Sequence, residues 1–130
     1  MITENEARAW LAAYGHAWTT RDPALIVELF TADVIYRERR FRPPLYGTEA
    51  IRDYWRMLVY DLQRDITFDV DEVIVSGDLA IVHWRASFLW RPSYSVHELD
   101  AMSRISFVEE TRNGLRLASS FEEWIENRET

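Results

Sequence analysis

The sequence predicts an α+β fold: a cone-shaped, curved antiparallel sheet packed against three N-terminal helices. Three observations predict it. Apolar residues recur at three- and four-residue spacing through the first half of the chain. They alternate with period two through the second half. That alternation slips parity at Asp71 and Glu72, where a β-bulge would bend the sheet.

The elements follow in order. Thr3 and Glu6 have the spacing of a capping box, and Ala7, Trp10, Leu11, Tyr14, Ala17 and Trp18 then fall on one helical face. The first helix is expected from Glu4 to Thr20. Asp22 as N-cap and Pro23 at the first helical position open a short second helix that ends near Phe30. A strand through "DVIY" follows, then an exposed connection, "RPPLYG". Thr48 is expected to cap a third helix with Ile51, Tyr54, Trp55 and Leu58 as its apolar stripe.

In the second half, Ile66, Phe68 and Val70 alternate on one parity and Val73 and Val75 on the other. "SGDL" makes a tight turn into a strand that sets Ala80, Val82, Trp84, Ala86, Phe88 and Trp90 against Ile81, His83, Arg85, Ser87 and Arg91. Leu99, Ala101, Ser103, Ile105 and Phe107 share a parity in the strand expected from Ser95 to Glu109. "RNGL" turns the chain into a last strand, Leu115 to Ile125. Residues 1–130 contain no repeat or linker and read as one domain. A bent sheet covered by helices encloses an apolar interior, the natural place for a small hydrophobic organic ligand.

Composition narrows the chemistry. The 130 residues include no cysteine, which excludes disulfides, thiolate metal sites and cysteine nucleophiles. All 15 basic residues are arginine, so Schiff-base chemistry and a P-loop lysine are excluded too, and the bias fits a GC-rich bacterial genome. A net charge of −7 disfavours nucleic acid, no apolar run is long enough for a membrane span, and the N-terminus lacks the pattern of a signal peptide. A cytoplasmic setting is the expectation. His16, His83 and His97 sit on different elements without ligand spacing, so no metal or other cofactor is expected.

Three stretches, "AWTTRDPALIVELFTADVIY", "LYGTEAIRDYW" and the four-strand remainder ending in "SFEEWIENRE", resemble the nuclear transport factor 2-like superfamily. That superfamily includes the ketosteroid isomerases and the SnoaL-type polyketide cyclases, and the resemblance covers nearly the whole chain. It is specific for the fold and not for any one activity. In an ungapped register it implies that Tyr14 matches the oxyanion-binding tyrosine of the isomerases and Glu38 their catalytic carboxylate. Their third element, a protonated aspartate, has no counterpart: Ser103 takes its place, and Asp100 has the opposite parity.

The residues carry their own reading beside this. Glu38 shares parity with Val34 and Tyr36; pointing inward, it would have the raised pKa that a general base needs, unless Arg40, on the same parity, pairs with it. Tyr14 on the apolar helix face must find a partner for its hydroxyl. Glu123 shares parity with Phe121 and Ile125 and is either a second inward acid or part of a solvated rim. Trp18, Tyr36, Trp55, Trp84, Phe88, Ser103 and Phe121 are expected to line the cavity, with His97 at its mouth. Two functional outcomes remain: proton transfer on a bound carbonyl or hydroxylated compound, or a non-catalytic interaction module whose interior is filled by side chains. The outer sheet face, with Ile81, His83, Arg85 and Ser87, is the expected homodimer contact.

Overall fold

Thr3 accepts a hydrogen bond from the Glu6 amide while the Glu6 carboxylate accepts one from Thr3, so the capping box forms and α1 runs over Glu4–Thr19. Asp22 caps α2, Pro23–Val27, through the amides of Ala24 and Leu25. This helix ends about three residues before the expected Phe30, for a tertiary reason. The Leu29 carbonyl accepts from the Ala118 amide and the Trp10 indole, which draws the backbone into the sheet, and Phe30 starts β1, Phe30–Arg37.

Strand β2, Leu45–Tyr46, is a two-residue pairing within the stretch expected to be irregular. The third helix, α3, covers Gly47–Trp55 and continues as a π-helical turn over Arg56–Tyr60. Thr48 does not cap it: Tyr46 holds the cap position and makes no side-chain cap bond. Four long strands complete the chain: β3 (Gln63–Ser76), β4 (Leu79–Trp90), β5 (Ser95–Arg112) and β6 (Leu115–Glu129). All 130 residues are described in this computed structural model.

The six strands form one sheet in the order β2-β1-β6-β5-β4-β3. The hairpins pair antiparallel as the alternation predicts, whereas β1 joins β6 in parallel, so the sheet is mixed. The slip predicted at Asp71 is present as a register shift between Val70, opposite Trp84, and Glu72, opposite His83. A second shift lies between Arg64 and Thr67, around Asp65 with φ 52°. The "NG" turn has both residues at positive φ, Asn113 at 54° and Gly114 at 80°, which matches the right-handed strand twist.

Parity decides burial. Ala80, Val82, Trp84, Ala86 and Phe88 of β4, with Leu99, Ala101, Ser103, Ile105 and Phe107 of β5, are all buried on the concave face. α1 crosses β3 so closely that a Cβ on Gly15 would lie 2.7 Å from the Phe68 ring. Buried indoles are satisfied: Trp18 donates to Gln63 and Trp84 to Ser103, both at 2.8 Å.

Candidate functional site

The concave face, α1 and α3 enclose an open cavity of about 910 Å³. Its interior is built from Trp18 of α1, Trp55 of α3 and Trp84 and Phe88 of β4. One end carries the polar groups. Tyr14 comes from α1, Tyr36 from β1, Tyr54 from α3 and Glu123 from β6, and Glu38 lies just beyond β1. The segment Glu38–Arg42 closes over this end and adds Arg39, Arg40, Phe41 and Arg42 to the rim.

Glu123 is 4% exposed. It accepts a hydrogen bond from the Tyr14 hydroxyl at 3.5 Å, and the Tyr14 and Tyr36 hydroxyls are 3.4 Å apart. Burial pushes its carboxyl well above the usual carboxylate range; the negative charge of Glu38 pushes the same way, and the tyrosine hydrogen bonds oppose both. Glu38 accepts a hydrogen bond from the Tyr54 hydroxyl. Burial raises its pKa as well, while the Tyr54 bond and the Arg39 charge pull it down. Two interacting carboxyls thus sit in different surroundings, one among neutral hydroxyls and one beside a cation. The surroundings favour the negative charge on Glu38 and the proton on Glu123.

The tyrosines do not compete for that charge. Burial raises the pKa of Tyr14 and Tyr36 well above the ordinary phenol value, and the acid charges add to it. Burial, with the Glu38 charge, does the same for Tyr54. All three stay hydroxyls, available as donors. Phe121 fixes their spacing: its ring stacks on Tyr14 at 5.2 Å and on Tyr36 at 5.1 Å.

Several residues depart from their expected places. Ser103 and Phe121 are both 1% exposed and lie in the layer behind the cavity wall, Ser103 held by the Trp84 indole. Arg40 does not pair with Glu38. Its guanidinium turns to Glu122 at 2.5 Å and covers the Trp124 ring at 4.6 Å, so the cation near Glu38 is Arg39. Alternation misplaces these arginines because β1 ends at Arg37. His97 lines the cavity, its ring stacked on Phe88 at 5.5 Å, with Asn127 3.1 Å from Nδ1. Asp100 faces outward, 2.6 Å from His83.

Glu123 is the cross-strand partner of Ser103. An acid is therefore present beside the position where the resemblance implied an aspartate, supplied by the neighbouring strand. Reading each strand separately conceals this, because only the register of β5 against β6 brings the two positions together. Tyr54 was legible as part of the α3 stripe, but nothing in its spacing pointed to Glu38.

No curated protein matches the chain. Solved structures share the fold. A putative scytalone dehydratase from Novosphingobium aromaticivorans superposes with a TM-score of 0.81 at 12% identity, covering 95% of this chain and 85% of that one. SalBIII, an epoxide hydrolase/cyclase-like enzyme of pyran ring formation in salinomycin, gives 0.78 at 18% identity over 97% and 95%. A hypothetical protein of ketosteroid isomerase-like fold from Catenulispora acidiphila, in complex with trimethylamine, gives 0.73 at 16% over 88% and 83%. At such identities the likeness concerns the fold. The SnoaL-like domain profile matches residues 8–114, most of the chain, and the protein belongs to the SnoaL-like domain family.

Proposed function

We propose that this protein catalyses proton transfer on a small hydrophobic carbonyl or hydroxylated compound held in its cavity. The observation that carries the proposal is the pair of unlike carboxyls, Glu38 and Glu123, at the tyrosine-lined end of an otherwise aromatic cavity. Glu38, as carboxylate, takes a proton from the carbon next to the carbonyl, and the electron pair moves onto the carbonyl oxygen. The Tyr14 hydroxyl and the protonated Glu123 donate hydrogen bonds to that oxygen as its charge grows. Return of the proton to another carbon gives an isomer, and loss of a β-hydroxyl with it gives a dehydration. The dehydratase and cyclase-like enzymes among proteins of this fold are in keeping with either outcome. An interior open over about 910 Å³ favours this reading over a side-chain-filled module.

The test needs no native substrate. Hydrogen–deuterium exchange next to the carbonyl of 2-tetralone, followed by NMR in deuterated buffer, should be accelerated by the protein. Glu38→Gln should reduce that acceleration by roughly 10²- to 10⁴-fold, with the fold intact by circular dichroism. Equal exchange rates in the two proteins would sink the proposal. A homodimer through the outer face of β4, around His83 and Arg85, belongs to the same reading, as does a cytoplasmic setting. Sedimentation equilibrium showing only monomer at micromolar concentration removes the dimer. No helix of the chain is long and apolar enough to cross a membrane.

A further inference from the structure

The mouth of the cavity has a charge opposite to that of the protein. The chain carries −7 overall, yet Arg39, Arg40 and Arg42 all line one rim. Arg40 is occupied by Glu122 and Trp124. Nearby Arg37 donates to the Arg42 carbonyl. The guanidinium groups of Arg39 and Arg42 make no hydrogen bond or ion pair. Among the 15 arginines only Arg56 shares that condition, and it does not line the cavity. Two free, forked cations therefore stand together at the entrance, in a protein whose remaining charge repels anions.

Beneath that rim the cavity holds no further arginine. Glu38 and Glu123 are acids, and the interior is Trp18, Trp55, Trp84 and Phe88. A ligand matching both parts has a flat apolar body and an acidic group that stays at the mouth. From this juxtaposition we infer that the natural ligand is an anion of this kind, its carboxylate or phosphate ester held by Arg39 and Arg42 while its ring system occupies the aromatic interior. The inference rests on the proposed use of the cavity as a small-molecule site and adds the charge of the substrate. A low-dielectric cleft with a cationic rim also gathers such ligands against the field of the whole protein.

The arrangement couples binding to the base. Arg39 is the cation that lowers the pKa of Glu38. An anion on Arg39 offsets that charge, so Glu38 becomes the stronger base once the ligand is seated.

Tryptophan fluorescence quenching tests the inference with 2-naphthylacetate, its methyl ester and 2-naphthyl phosphate as probes, at low and high salt. At least one anion should bind roughly fivefold or more tightly than the ester at low salt, and the preference should shrink as salt is added. The single variants R39Q and R42Q should each weaken it and the double variant R39Q/R42Q should abolish it with ester binding unchanged, whereas R56Q, which removes the same charge as either single variant but away from the cavity, should leave more of the preference than either of them. Whichever anion gains more names the acidic group. Equal affinity for acid and ester, a preference that survives R39Q/R42Q, or no saturable quenching by any probe at millimolar concentration overturns the inference. The readout is binding alone, so it separates from proton transfer: equal affinity of the parent protein for acid and ester, with tetralone exchange accelerated, refutes the anionic ligand and leaves the catalytic reading standing.

Discussion

The two faces of the sheet use the same residue types to opposite ends. On the outer face, His83 lies 3.2 Å from Asp71 and 2.6 Å from Asp100, and Arg85 bridges the same two acids. Arg85 is 61% and Asp100 57% exposed, so water screens each of these charges. On the inner face, Glu123 has no cation within reach. Its only partners are hydroxyls, and its neighbours are stacked rings. An acid paired and solvated outside contributes little. An acid buried inside without a cation holds its proton more tightly than usual and becomes a chemical resource. One residue of parity separates the two outcomes, as Glu122 with Arg40 and Arg104 beside Glu123 with Tyr14 illustrates.

The inner face should be the more costly to disturb. Phe121→Ala removes a ring that is 1% exposed and sandwiched between Tyr14 and Tyr36, and should destabilise the protein by about 3–5 kcal/mol in urea denaturation. A loss below about 1 kcal/mol would mean that the tyrosines hold their spacing without it. The pH dependence comes next. Glu123 binds its proton more tightly folded than unfolded, so above the ordinary value of 4.5 the native state carries one proton more than the unfolded state. Stability should then fall with rising pH by about 1.4 kcal/mol per unit from this group, until Glu123 itself ionises. Glu123→Gln removes that slope. Its melting temperature relative to the parent should therefore rise between pH 5 and pH 8, and a constant difference would break the comparison at its centre. The smallest effect belongs outside. Asp100→Asn should change stability by less than about 1 kcal/mol, and less again at high salt.

The helix and hairpin architecture was legible because its signals are local. A capping box, Asp22–Pro23, a period of two and an Asn-Gly turn each act within a few residues, and the bulge at Asp71 shows as a slip in the alternation itself. The helical face carrying Tyr14 followed for the same reason, whereas parity left Glu123 between the interior and a solvated rim. Parity fails where the strand ends. Arg37 is the last residue of β1, so the course of Glu38–Arg42, and with it the choice of Arg39 over Arg40 as the cation beside Glu38, is set by Glu122 and Trp124 on a strand more than eighty residues away.

By itself, then, the sequence determined which residues share a face, since the periods of 2 and 3.6 belong to backbone geometry and are written in consecutive side chains. Only the tertiary structure decided which of those residues meet. The parallel joining of β1 to β6, the register that sets Glu123 opposite Ser103, and the bond from Tyr54 to Glu38 all link positions far apart in the chain. The physical reason is that such contacts are chosen by how one sheet closes over one set of aromatic rings, and the free energy of that closure is a property of all the elements together.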